Sequence, residues 1–150
     1  MKLPREWSEL IDSLLSHRVR FLIVGAHALA AHGRPRATQD LDLFVEPTRA
    51  NAKRVGAALA DFGYPELARE WPRFAERDRM ATLGREPLRV DIMTSISGVD
   101  FKQAWKGRVS TRYGRFSVSF LGREELVANK RAAGRTKDLL DIALLEEAEE

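Results

Sequence analysis

The stretch GRPRATQDLDLFV, residues 33–45, sets Asp40 and Asp42 one residue apart at the opening of a run that reads as a buried β-strand. Side chains alternate along a strand, so the two aspartates share one face while Leu41, Leu43 and Val45 take the other. Two steps of strand rise put their Cα atoms about 6.5–7 Å apart. A third acid follows in PLRVDIMT, residues 87–94, where Leu88, Val90 and Ile92 alternate with Arg89, Asp91 and Met93. Asp91 therefore leaves the apolar face and can meet the first pair across a sheet. Three carboxylates in a partly dry site repel one another, and must either raise their pKa values or share a cation. Magnesium suits them. It is a hard ion satisfied by carboxylates, water and substrate phosphates, and two such ions stabilise both the attacking and the leaving oxygen of a phosphoryl displacement. The plainer alternative is that Asp40 caps a strand end, Asp42 lies on the surface and Asp91 pairs with an arginine.

Other residues bear on that choice. RFLIVG is a short run of β-formers ending in glycine, and Gly25-Ala26 then feeds an alanine-rich segment. A glycine at a strand-to-helix turn lets backbone N–H groups approach a phosphate. The net charge is only +3. Bases nevertheless crowd residues 69–89, 102–115 and 130–137, while acids gather in LLEEAEE at the end. Such patches favour phosphate-bearing partners modestly, or form an ordinary solvated surface. His27 and His32 are five apart, the wrong spacing for one helical face, which points to packing or hydrogen bonding and not to a metal. The three tryptophans read as core or interface residues.

The elements that must hold these residues follow from periodicity. PREWSELIDSLLSHR carries Trp7, Leu10, Ile11, Leu14 and Leu15 at helical spacing, with Pro4 in the first turn. RFLIVG is a central strand, AHALAAHG a helix stopped at Gly33 and Pro35, and DLDLFVE the aspartate strand. PTRANAKRVGAALADFG is a helix capped by Thr48 and ended by Gly63. Residues 64–78 read as irregular and charged. RMATL and LRVDIM form a hairpin around GREP, and VSTRYGRFSVSFL another around Tyr113-Gly114. GREELVANKRAAGRTKDLLDIALLEEAEE gives two helices broken at Gly134. Strands interleaved with helices, then hairpins and a closing helical pair, predict an α/β class with α+β features: a mixed sheet flanked by helices.

At 150 residues, 44% hydrophobic and 31% charged, the chain predicts one globular domain spanning 1–150. It has no cysteine, which excludes disulfides and thiolate zinc sites and fits a reducing compartment. The longest apolar run, FLIVGAHALAA, is about half the length that crosses a bilayer. The first residues show no secretory h-region, so the expectation is a cytoplasmic protein without a membrane partner.

VGAHALAAHGRPRATQDLDLFV resembles the core signature of the nucleotidyltransferase superfamily of the DNA polymerase β type, in which a glycine turn opens a helix and a D-x-D strand follows. The variant with a later VDI, and the tail ANKRAAGRTKDLLDIALL, is similar to the minimal AbiEii-like branch found in toxin–antitoxin loci. These matches span most of residues 21–145. The resemblance implies a magnesium-dependent enzyme, with two ions, that moves NMP from an NTP such as ATP to an acceptor hydroxyl on RNA, a tRNA end or a partner protein. It implies Asp40, Asp42 and Asp91 as metal ligands and catalytic residues, with Asp91 nearest the attacking hydroxyl. It also implies Gly25 and Ala26 as amide donors to the triphosphate, and Lys130 near the triphosphate. Arg36 and Thr38 match the segment before the pair, where Arg36 meets the nucleotide or simply neutralises an aspartate. Asp138 orients a basic neighbour or caps structure. Ala26 departs from the commoner serine or glycine and removes a hydroxyl. The alternative is a catalytically lapsed nucleotidyltransferase fold serving as a binding or antitoxin module.

Overall fold

The structure is a computed structural model and describes residues 3–32 and 40–149. Helix α1 (Arg5–Ser16) turns Trp7, Leu10, Ile11 and Leu14 to the core. Strand β1 (Phe21–Val24) is buried along its whole length and runs straight into α2 (Gly25–Ala31). Strand β2 (Leu41–Val45) carries Asp42, and α3 (Arg49–Phe62) follows it. Thr48 caps α3 by accepting the Asn51 N–H, and Gly63 ends it in the left-handed conformation, as its φ of 107° shows.

Residues 64–78 correct the expectation of an irregular segment. They hold α4 (Pro65–Arg69) and a 3-10 turn (Trp71–Ala75). Their charges conceal two inward anchors, Ala68 and Phe74. A β-carbon at Gly56 of α3 would stand 2.7 Å from the Trp71 Cβ, so the small residue lets the turn lie directly on the helix. Strands β3 (Met80–Leu83) and β4 (Val90–Met93) form the expected hairpin. A short helix not read from the sequence, α5 (Phe101–Lys106), comes next, capped by Asp100 on the Gln103 N–H. Strands β5 (Val109–Tyr113) and β6 (Phe116–Phe120) pair antiparallel. Helices α6 (Arg123–Ala133) and α7 (Thr136–Glu149) close the chain around Gly134, as expected.

The six strands make one mixed sheet in the order β3-β4-β2-β1-β6-β5. β1 pairs antiparallel with β2 and parallel with β6, while β2 pairs parallel with β4. Leu41, Leu43 and Val45 join the buried residues of α1 and α3 in one core cluster. On the opposite face Phe44 meets Phe101 of α5 edge-on, with ring centres 5.0 Å apart. Buried Asn51 ties the sheet to α3: it accepts from the Arg20 N–H and donates to the Arg20 and Glu46 carbonyls. Among the described residues no helix is long and apolar enough to cross a membrane.

Candidate active site

Sheet register assembles the acids. Val24 of β1 stands opposite Asp42 of β2, Asp42 opposite Asp91 of β4, and Asp91 opposite Thr82 of β3. Neighbouring strands lie about 4.8 Å apart, so Asp42 and Asp91 are adjacent on one face, as alternation predicts. Asp40 sits one step before β2. Asp91 is 7% exposed; its carboxylate accepts from the Thr82 hydroxyl at 2.8 Å and from Arg89 Nη2 at 3.4 Å. The same Arg89 nitrogen lies 2.6 Å from Asp40 Oδ2, and Nη1 lies 3.5 Å from Glu86 Oε1. Asp42 is the carboxylate left with the greatest strain. Burial first, then the charges of Asp91 and Asp40, push its pKa from 3.8 to about 6, against the pull of Arg89 and Lys137. Glu86 is pushed up too, chiefly by its hydrogen bond with Asp40.

Gly25 touches this group directly. Its φ of 71° lies in the left-handed region, and a β-carbon there would overlap the Asp42 carboxylate. The glycine turn and the D-x-D strand, two separate signals in the sequence, are thus one contact in space. Gly25→Ala is expected to cost at least about 1–2 kcal/mol for the backbone alone, a fall in melting temperature of roughly 2–8 °C. Calorimetry showing an unchanged melt would mean that the backbone at residue 25 relaxes out of the left-handed region and that Asp42 turns away.

Helices α6 and α7 wall the carboxylate face. A cavity of about 440 Å³ lies between them and the sheet, lined among others by Gly25, Asp42, Ser95, Asn129, Lys130 and Arg135. Asp42 is the one of the three acids that lines it. A larger cavity, about 700 Å³, shares Asp78, Ser95 and Ile96 with the first and presents Phe44, Phe101 and Trp105.

Lys130 reaches the cavity wall, but its ammonium is already paired. Nζ lies 3.0 Å from Asp141 and 3.6 Å from Asp138, and all three residues are buried. Asp138 also accepts from the Arg135 backbone N–H and side chain, closing the first turn of α7. Arg135 holds the Asp138 carboxyl below the usual range. Asp138 thus both orients a base and caps a helix. Lys130, Asp138 and Asp141 are buried and paired, so this part of α6 and α7 is not an ordinary solvated surface.

Ala26 stands in the first turn of α2, beside Gly25. Arg36 and Thr38 lie outside the described residues. His27 Nδ1 is 2.7 Å from the Tyr113 hydroxyl and His32 Nε2 is 2.9 Å from the Leu121 carbonyl, so both histidines are engaged in packing contacts. Trp7 is core and donates to the Leu88 carbonyl at 3.0 Å, fixing the approach to β4. The arginine that the plainer alternative paired with Asp91 is Arg89, which also reaches Asp40; neither it, as that partner, nor Thr82 was named from the sequence. Alternation in LRVD already puts Arg89 on the face of Asp91; Thr82 is placed only by register.

The donor set fits magnesium in kind: hard carboxylate oxygens on one face, with Asp91 and Asp40 both acting on Asp42. Among the described residues no three His, Cys, Asp or Glu side chains already stand as a metal cage. Arg89 bridges Asp40 and Asp91 instead.

Comparison with known proteins agrees with the fold. No protein-family model matches the chain, and no curated protein matches it. Among solved structures it is similar to the lincosamide antibiotic adenylyltransferase LnuA with lincomycin bound, at 12% identity and a TM-score of 0.57 over 98% of both chains. It is also similar to a Thermotoga maritima protein whose assignment as a nucleotidyltransferase is itself provisional, at 14% identity and a TM-score of 0.52, over 99% of this chain and 92% of that one. The class defined is therefore a nucleotidyltransferase-like fold: a mixed sheet with helices on both faces and the acids on its cavity side.

Proposed function

We infer that the chain is a magnesium-dependent nucleotidyltransferase moving NMP from an NTP to an acceptor hydroxyl. The observation that carries this reading is the close approach of Gly25 to Asp42 together with the in-register Asp42–Asp91 pair, on the face of the sheet that borders a cavity. Asp40, Asp42 and Asp91 would hold the metal ions, which supply charge neutralisation for the attacking and leaving oxygens. Asp91, which accepts from the Thr82 hydroxyl, would take the proton of the acceptor hydroxyl. Gly25 and Ala26 offer backbone N–H groups to the triphosphate. Lys130 lines the cavity, and its ammonium, paired with Asp138 and Asp141, keeps α6 and α7 together beside the triphosphate position. Arg36 and Thr38, in the segment before Asp40, are proposed as further nucleotide contacts on the sequence resemblance.

Three acceptor classes follow: RNA or a tRNA end and a partner protein, from the motifs and the basic segments, and a small molecule, from the lincosamide that LnuA modifies. A cavity near 700 Å³ is of the size that holds a small ligand. A place in a toxin–antitoxin pair and a cytoplasmic setting rest on the sequence alone. The test is incubation with each α-labelled NTP, magnesium, and either total RNA, the protein alone or a small-molecule extract. Label in any fraction, lost without magnesium, supports the reading and names the acceptor class. No label in any fraction with any NTP favours the catalytically lapsed module, which the missing hydroxyl at Ala26 already suits.

A further inference from the structure

Arg89 occupies an unusual position for a cation in a site that needs metal. One nitrogen, Nη2, lies 2.6 Å from Asp40 Oδ2 and 3.4 Å from Asp91 Oδ2, so it bridges two of the carboxylates that would hold the metal ions. The other terminal nitrogen leans on Glu86 at 3.5 Å. The root of the group is not held in the same way: Nε is buried with no hydrogen-bond partner among the described residues. The side chain is 40% exposed, so a path out to solvent exists. A guanidinium anchored only through its tips can exchange those tips for a better anion, and a polyphosphate offers bidentate acceptors matched to its fork.

We propose that Arg89 is a built-in counter-ion that holds the metal position between Asp40 and Asp91 until a polyphosphate draws it off. The inference rests on the metal-site reading above and adds an order to it. Without nucleotide the acids are neutralised from within, and divalent ions bind weakly. When the triphosphate arrives, Arg89 moves onto it, and the vacated carboxylates take the metal. Metal and nucleotide then favour each other's binding with equal coupling in either direction.

The test measures binding and not turnover. Manganese, followed by its electron paramagnetic resonance signal, is titrated into the nucleotide-free protein; inorganic tripolyphosphate is titrated separately by calorimetry in EDTA. Arg89→Gln is expected to tighten manganese at least about tenfold, or about 1.4 kcal/mol, and to weaken tripolyphosphate at least about threefold. Lys137→Gln, which removes an equal charge felt by Asp42 from an exposed position, is expected to change either by less than about threefold. Arg89→Lys keeps the charge but replaces the fork with one ammonium, and should fall between; it serves if the glutamine variant fails to fold. Manganese affinity unchanged or weaker in Arg89→Gln overturns the proposal, as does an equal gain in Lys137→Gln. Label transfer by the wild type, together with either of those results, leaves the nucleotidyltransferase reading standing and removes only the role of Arg89. Absence of both transfer and manganese binding overturns both.

Discussion

Asp42→Asn is expected to lower nucleotidyl transfer by at least about a thousandfold, close to 4 kcal/mol, while making the metal-free protein more stable. The two effects have one cause. Asp42 is partly buried beside Asp91 and Asp40, and its pKa is pushed from 3.8 to about 6. Below about pH 4 the carboxyl is neutral in the folded and unfolded chains alike, so the aspartate costs nothing. As pH rises towards 6 the unfolded chain ionises it freely and the folded chain does so only against repulsion. Stability is therefore lost across that window and stays lost at neutral pH. Asparagine avoids this loss. In EDTA the variant should melt as the wild type does near pH 4 and exceed it at pH 7.5 by about 1–2 kcal/mol, with the gap narrowing when magnesium is added. A variant less stable than wild type at pH 7.5 in EDTA would show that Asp42 makes a structural contact, and would weaken the case for a metal site.

Lys130→Ala is expected to act in the opposite direction. The substitution leaves Asp138 and Asp141, both fully buried, without their shared ammonium. Breaking a buried pair from one side costs about 3–5 kcal/mol, a fall of roughly 10 °C or more in melting temperature for a chain of this size. Any loss of transfer would then be inseparable from loss of the α6–α7 pair. A double variant, Lys130→Met with Asp141→Leu, removes a charge of each sign and should be less destabilised than the two single changes added together. An alanine variant that melts with the wild type would show the three groups to be solvated, and would return Lys130 to the role of a free phosphate ligand.

These two side chains also mark what the sequence could and could not disclose. Asp42 was readable because strand alternation is local: five residues suffice to assign its face, and a second D-containing strand of the same pattern supplies Asp91. Gly25 was readable because its type signals a turn that other residues enter at a cost. Lys130, Asp138 and Asp141 were not, since a helix of mixed charge reads the same whether its polar face meets water or another helix. Their burial is a property of how α6 and α7 close on each other. Arg89 shared the face of Asp91 by the same alternation, yet its partner Asp40 lies just before β2, and only the parallel β2–β4 register brings them together. In 64–78, charged residues outnumber the inward anchors Ala68 and Phe74, which hid a helix and a 3-10 turn.

The row Val24, Asp42, Asp91 and Thr82 crosses four strands at one level of the sheet. Its two acids are forty-nine residues apart in the chain and meet through a parallel pairing, which requires the whole intervening crossover to be in place. Closing such a loop is an early entropic expense recovered only when the long-range contacts form. The chemistry therefore has no local nucleus. No fragment of the chain short of β1 through β4 contains it, and it shares the cooperativity of the central strands instead of riding on a loop that could melt by itself. A slip of one residue between β2 and β4 would turn Asp42 into the core and Leu43 out of it, so the apolar packing that stabilises the sheet is also the proofreader of the site's alignment.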